Sequence, residues 1–342
     1  MLVTIRSCIL NDTGFFNMVR IALITATPPS VNPGMLACEA TARSFLYQAD
    51  LLGQTTFFRV QGLEERSGLS PLDPRLQDIV AQCDLSITFE TLKDVSQLNG
   101  LIPIFWGDFL HMNLYLKSFK PSWSTGLEDI RRLLLLEDAP MSLLNSAISY
   151  GSSFLFNSTT DYYDPLYGAA LRRFISNAHH IQMRDAISAA VVSGLRLSNM
   201  NCFGLDPAQL LSMQAYLEDI LGLTEIRSRS NFQPRALLFF ARGKHDWEVT
   251  RPFVNDLLNS LDMKPEWLAW GDQISFPYGD DIWLDLPRVQ WQISPGTSHL
   301  HNLLETIRNS SVVITDTYHL VSLVGLWEYR QSCYQVIITT KS

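Results

Sequence analysis

Val312-Val313-Ile314-Thr315-Asp316-Thr317-Tyr318-His319-Leu320-Val321-Ser322-Leu323 runs four β-branched residues into an Asp-Thr-Tyr-His turn and then into an apolar segment. No Gly or Pro interrupts that segment as far as Val324, so the stretch reads as a buried strand feeding a helix. In an open α/β sheet, ligands sit outside the carboxyl ends of the strands, where helix starts present unpaired N–H groups and a partial positive charge. Asp316 and His319 lie at such an edge, one an acceptor and the other a group that titrates near neutrality. The plainer reading is that Thr317 caps the helix and His319 fills its first turn.

The same rhythm extends backward from this stretch. Ala236 to Phe240 reads as a strand, Arg242-Gly243-Lys244-His245-Asp246 as its loop, and Thr250 to Leu261 as the helix after it. Trp267 to Trp270 and Val289 to Ile293 read as strands, with Ser298 to Arg308 a helix before the opening stretch. Arg242 and Lys244, with His245, form the densest cationic cluster on the ligand side of this half. They suit a phosphate or carboxylate clamp without a metal, because guanidinium matches oxyanion geometry in a fork. A solvated loop is the competing reading. The pair His299-x-His301 near Asp316 and His319 does not read as a metal site, since helical residues two apart point in different directions.

Ahead of this half, Gly222 to Arg235 turns polar and charged and reads as a linker. Residues 1–225 and 226–342 are therefore expected to be two domains. The first opens at Met18, a candidate natural start, with residues 1–17 read as an extension. Val19 to Thr25 is expected to be a strand, 27–34 a turn-dense loop, and Met35 to Leu52 a helix closed by Gly53. Asn32 and Gly34 line the ligand edge of this unit, and the loop lacks the spaced glycines of a dinucleotide fingerprint. Strands follow at Thr55 to Val60, Leu85 to Phe89 and Leu101 to Trp106, the last ending at Gly107-Asp108. Asp108 reads either as a ligand-edge acid, with His111 one turn on, or as a helix N-cap.

Ser124 to Leu136 reads as a surface helix. Ala147 to Tyr150 is expected to be a strand that leads into Gly151-Ser152-Ser153, where small residues either admit a ligand close to the backbone or make a tight connection. Helix Tyr167 to Asn177 precedes strand His179 to Met183. In Arg184-Asp185-x-x-Ser188, Asp185 suits an N-cap with Ser188 as a weaker capping-box partner, and Arg184 adds positive charge to an anion-friendly helix start. Asn201 to Leu205 reads as a strand. Asp206-Pro207-Ala208 is an N-cap with proline at the first helical position, opening a helix from Gln209 to Leu221. The fold class is thus α/β, two doubly wound Rossmann-like domains with ligand expected in the cleft.

Composition fits that class. The 342 residues are 46% hydrophobic and 18% charged, a globular balance. A formal charge of −8 without a basic run argues against nucleic acid as a partner. Five cysteines without paired spacing read as reduced thiols, and no run reaches the length of a membrane helix. A cytoplasmic protein is the expectation.

Taken in order, Asn32-Pro33-Gly34, Trp106-Gly107-Asp108-Phe109, Gly151-Ser152-Ser153, Arg184-Asp185-x-x-Ser188, Asp206-Pro207-Ala208 and Ile314-Thr315-Asp316-x-Tyr318-His319 resemble the polysaccharide pyruvyl transferase family over about Met18 to Leu326. That resemblance implies a glycosyltransferase-B-like fold and transfer of the pyruvyl unit of phosphoenolpyruvate to a sugar as a ketal. It makes His319 and Asp316 the acid–base pair and Arg242, Lys244 and Arg184 the holders of phosphate or carboxylate. Asn32, Asp108 and Ser152 are further substrate-binding candidates, and the saccharide acceptor is the second substrate. No cofactor is required, because no redox step occurs.

Two positions depart from the family pattern. Thr317 stands where many members carry Arg, and Trp327-Glu328-Tyr329-Arg330-Gln331-Ser332 replaces a small-residue strand entry. The helices expected after it are not found, so the C-terminal domain reads as short, with one face or the edge at Val336-Ile337-Ile338 under-covered. A nucleotide-sugar glycosyltransferase and a degenerate, non-catalytic homologue are the alternative readings.

Overall fold

The computed structural model describes residues 20–25, 33–60, 89–107, 110–111, 127–154, 164–195, 202–212, 235–239, 247–268, 306–307, 310–315, 320 and 336–337. The chain divides into two compact units, one drawn mainly from residues before Leu211 and the other mainly from those after.

The first unit is built on six strands, β1 (Ile21–Thr25), β2 (Thr55–Val60), β3 (Phe89–Leu92), β4 (Ile102–Trp106), β5 (Ile148–Ser152) and β6 (His180–Met183). Their order is β3-β2-β1-β4-β5-β6, and every pairing is parallel. This is the strand order of a Rossmann fold, whose direction of winding reverses between β1 and β4. Helices α1 (Pro33–Gln48), α2 (Leu127–Leu135), α3 (Met141–Leu144), α4 (Pro165–Asn177) and α5 (Ala186–Leu195) belong to the same half of the chain.

Neighbouring residues of β4 show that helices cover both faces. Adjacent strand residues point to opposite sides of a sheet. Trp106 meets Phe45 of α1, ring centroids 5.7 Å apart, and its Nε1 donates to the Cys38 carbonyl at 2.9 Å. Phe105 on the other side meets Phe174 of α4 edge-on at 5.7 Å. The layer beneath α1 is Ile21, Leu23, Ala42, Phe45, Leu46, Phe57, Ile104, Trp106, Ile148 and Tyr150, all buried.

Pro103 lies inside this central sheet, a position where a missing N–H is normally excluded. Ile102 N donates to Arg20 O and Gly107 N to Tyr150 O, so alternate amides of β4 face opposite neighbours, and the amide at 103 belongs to the β5 side. Pairing with β5 begins only at Ile104↔Ile148, so proline deletes no ladder bond there.

The second unit contains β7 (Arg235–Phe239), α6 (Trp247–Ser260), β8 (Lys264–Trp267), β9 (Val312–Thr315) and β10 (Val336–Ile337), with sheet order β10-β9-β7-β8, again all parallel. It is a second Rossmann-like α/β unit, as the two-domain fold class requires. Val312 to Thr315 forms a strand as its sequence predicts.

Several expectations shift. The strand placed at Trp267–Trp270 runs instead over Lys264–Trp267. Pro265, which argues against a strand in sequence, is tolerated because β8 is the outermost of the described strands. The strand expected at Leu85–Phe89 is seen as Phe89–Leu92, residues 85–88 lying outside the described set. Asn201–Leu205 reduces to a single parallel bridge, Met183↔Phe203, because the chain turns into Asp206 directly afterwards. From Pro207 the chain forms a 3-10 turn to Ser212. An uncovered face is not found on β7 or β9, since consecutive residues Ala236–Phe239 and Val312–Thr315 are buried. No helix among the described residues is long and apolar enough to cross a membrane.

Candidate functional site at the carboxyl edge of the first sheet

Four motifs that lie far apart in sequence meet where β4, β5 and β6 end. Arg184, just after β6, is the hub. Its Nε donates to Ser153 Oγ at 2.9 Å and its Nη1 to Asp206 Oδ2 at 3.0 Å. The two charged side chains are 2% and 0% exposed. In a low-dielectric setting each would be strongly unfavourable alone, so each requires the other.

The hub extends in two directions. Ser153 Oγ donates to Asp185 Oδ2 at 2.5 Å, and Asp185 caps α5 by accepting from Ser188 N at 2.8 Å. The cap is the one the sequence predicts, but the box closes differently. Ser188 Oγ donates to Asp185 Oδ2 at 2.8 Å and accepts from Phe154 N at 2.7 Å, which ties the α5 start to the chain leaving β5. In the other direction, Asp206 Oδ1 accepts from Ala208 N at 2.8 Å, the expected cap ahead of Pro207.

Pro207 fills the space the glycines leave. Gly107 and Gly151 both have positive φ, +71 and +69. A Cβ on Gly151 would lie 2.4 Å from Pro207 Cγ and Cδ, and one on Gly107 would lie 3.4 Å from Pro207 Cγ. The close approach at Gly151 is therefore made by this proline. Ser152 Oγ donates to Gly107 O at 3.0 Å, and Arg184 N donates to Ser152 O at 3.2 Å, which lock the ends of β4, β5 and β6 together.

Tyr150 stacks on Trp106 at 4.8 Å, and burial together with the nearby Asp206 charge pushes its phenol up to about 12. His111 lies on the opposite side of the sheet, fully buried against Phe105, Phe154 and Phe174. Its Nδ1 is 2.8 Å from Leu134 O and its Nε2 is 3.0 Å from Ser149 Oγ. The carbonyl can only accept, so Nδ1 carries the proton and Nε2 accepts from Ser149. Burial pushes this imidazole down to about 3, so it is a neutral core group at ordinary pH.

Of the candidates named from sequence, Arg184 and Ser152 fall within the described residues, and both bond to partners inside the protein. Asn32, Asp108, Arg242, Lys244, Asp316 and His319 lie outside the described residues. Among the described residues no group of three or more His, Cys, Asp or Glu is placed to hold a metal. Sequence reasoning did not single out Thr25 at the end of β1 or Glu39 in α1. Their burial and hydrogen bonding are tertiary properties, although the Glu39–Arg43 spacing of four residues is visible in sequence as a helical ion pair.

No family model matches the chain, and no curated protein sequence matches it. Among solved structures, a protein of Listeria monocytogenes described as a UDP-N-acetylglucosamine 2-epimerase is similar at 10% identity and a TM-score of 0.47, over 89% of this chain and 76% of that one. An α-glucosyltransferase in complex with UDP and a 13-mer DNA is similar at 11% identity and a TM-score of 0.45, over 93% and 78%. The UDP-GlcNAc 2-epimerase of Neisseria meningitidis bound to UDP-GlcNAc is similar at 9% identity and a TM-score of 0.43, over 88% and 78%. The fold assignment rests on the strand order and the two-sided helix cover described above.

Proposed function

We propose that the chain is a pyruvyl transferase that joins phosphoenolpyruvate to a pair of sugar hydroxyls as a ketal. One observation carries the reading. The segments Trp106-Gly107, Gly151-Ser152-Ser153, Arg184-Asp185-x-x-Ser188 and Asp206-Pro207-Ala208, whose order resembles that family, form one packed and hydrogen-bonded edge of the first sheet.

The chemistry balances without a cofactor. The enol carbon of phosphoenolpyruvate forms two bonds to hydroxyl oxygens and loses its bond to phosphate oxygen. Of the two hydroxyl protons, one ends on the methylene carbon, making it a methyl group, and the other leaves with phosphate. In this reading His319 moves a proton, Asp316 orients it, and Arg242 and Lys244 hold the anionic donor. Arg184 contributes through the edge it ties together.

A nucleotide-sugar glycosyltransferase is the second reading. It is favoured by the β3-β2-β1-β4-β5-β6 order, which is that of nucleotide-binding folds. Melting the full chain with phosphoenolpyruvate and, separately, with UDP-glucose, UDP-N-acetylglucosamine and ADP-glucose separates the two. Stabilisation by phosphoenolpyruvate alone supports pyruvyl transfer, and stabilisation by nucleotide sugars alone overturns it. No shift with either class supports the non-catalytic reading.

A further inference from the structure

Seven large hydrophobic side chains are exposed among the described residues, and four of them, Leu166, Ile187, Phe203 and Leu205, belong to one corner of the first unit. Exposed hydrophobics scattered singly are ordinary, whereas a cluster marks a surface that something covers.

Topology puts the four together. α4 meets Phe105 on the face of the sheet opposite α1, and α5 packs beside α4. The first turn of α4 lies at the carboxyl edge, since Tyr167 Oη donates to the His111 carbonyl beyond β4 at 2.7 Å, and α5 starts at that edge directly after β6. Leu166 and Ile187 stand in those two first turns. Ser149 bonds His111 on this same face, Ile181 is its partner in register, and Met183, two residues on, points the same way. Phe203 pairs with Met183 in a parallel bridge and so faces the α5 layer as well. Leu205 adjoins Asp206, which Arg184 holds just ahead of α5.

The outer side of α5 is not that of an ordinary surface helix. Ser188, Ala189 and Val192 are its buried side, which leaves Ile187, Ala190 and Gly194 pointing outward, flanked by Ala186 and Val191. Charged residues normally fill such a face, and α4 beside it carries the exposed Arg172 there. From Ala186 to Leu205 the only charge is Arg196, on a chain of formal charge −8. A charged partner would lose hydration against this face and gain no counter-charge, so the complement is itself uncharged.

The face supplies that complement. Two copies of α5 packed antiparallel about a two-fold axis between positions 190 and 191 set Ile187 of each against the partner's Gly194, and Ala190 against the partner's Val191. The space over Gly194 is open, because a Cβ built there meets no atom within 4 Å. Glycine weakens a helix, and no packing within the chain requires it at this position; a socket for a bulky side chain does.

We propose that the chain forms a two-fold dimer through the outer face of α5, with Leu166, Phe203 and Leu205 at its margin. Sedimentation velocity of the full chain across a concentration series tests it, and a dimer is expected at micromolar chain. Ile187→Asp places an acid in the first turn of α5, where the helix dipole favours it, but buries a carboxylate from each copy in the interface. It is expected to weaken dimerisation by more than about 100-fold. Gly194→Lys fills the socket with a better helix former and is expected to weaken the dimer by more than about 10-fold. Melting temperatures of both variants, read at dilutions where the parent is monomeric, are expected to match or exceed the parent's, which separates the interface from folding. Tyr47→Asp, at an exposed position of α1 on the other face of the sheet, is expected to leave the dimer intact. A parent that stays monomeric at every concentration, or a dimer that survives both α5 substitutions, overturns the proposal. A monomeric parent that floats with phosphatidylcholine vesicles, and loses flotation in Ile187→Asp, overturns it too and assigns the face to a lipid surface.

Discussion

Two sets of buried polar side chains in the first unit differ in how their hydrogen bonds close. Arg184, Asp206, Ser153, Asp185 and Ser188 bond to one another and to nearby amides just past β5 and β6, at the start of α5 and at the Asp206 turn. Thr25, the last residue of β1, and Glu39 of α1 leave oxygens without a partner in the protein. The closed set is rich in the residues that resemble a family motif. The open set is invisible to motif reading. A charged residue at a strand end is thus a weak guide to ligand contact until its partners are known, because a fully paired network holds shape and an incomplete one has bonds to offer.

The comparison breaks most directly at Asp206. Asp206→Ala leaves Arg184 buried without its counter-charge and removes the cap on Ala208 N, so a loss of about 3–5 kcal/mol is expected. Urea unfolding of parent and variant measures it. A change below about 1 kcal/mol would mean that water reaches the pair and that the set is not closed.

Gly151→Ala comes next. Its Cβ must enter space held by Pro207 and the Leu205 carbonyl, at a φ that L-residues disfavour. A loss of about 2–4 kcal/mol is expected from strain and overpacking together. If the variant melts like the parent, Pro207 is free to move and the junction of the 3-10 turn with β5 is loose.

His111 supplies a paired polar group on the other face of the sheet, and pH tests it. The folded protein holds this imidazole neutral, well below its ordinary value of 6.5, whereas the unfolded chain takes up a proton near 6.5. The stability it contributes is fully present above pH 6.5 and is lost as pH falls through that value toward about 3. The slope approaches about 1.4 kcal/mol per pH unit. Melting temperatures of parent and His111→Gln across this window should converge on acidification, and parallel curves would show that the ring is protonated in the folded state.

Thr25→Val carries the smallest expected effect and the opposite sign. Removing an orphan hydroxyl without changing shape is expected to stabilise the unliganded chain by up to about 1 kcal/mol. A clear drop in melting temperature would show that Thr25 already has a partner, which moves it into the closed set.

Much of the fold was legible along the chain. Thr55–Val60 and Val312–Thr315 form strands as read, and the caps at Asp185 and Asp206 hold, because β-branched runs and Asp before a helix act through neighbours in sequence. The strand read at Trp267–Trp270 lies three residues earlier, at Lys264–Trp267, because which segment pairs with β7 is settled by the sheet and not by a local run of residues. The strand expected at Asn201–Leu205 became one bridge for a similar reason, its extent being limited by the Asp206 turn packed against β5.

Strand-and-helix periodicity and capping are written in residues a few positions apart, and they suffice for a doubly wound α/β chain. The pairing of Arg184 with Asp206 across 22 residues, the place of Pro207 beside Gly151 and the unpaired oxygens of Thr25 and Glu39 appear only once the chain is folded. Hydrogen-bond partners and close packing depend on which segments the sheet brings together, and that order, β3-β2-β1-β4-β5-β6, follows from winding and not from any local run of residues.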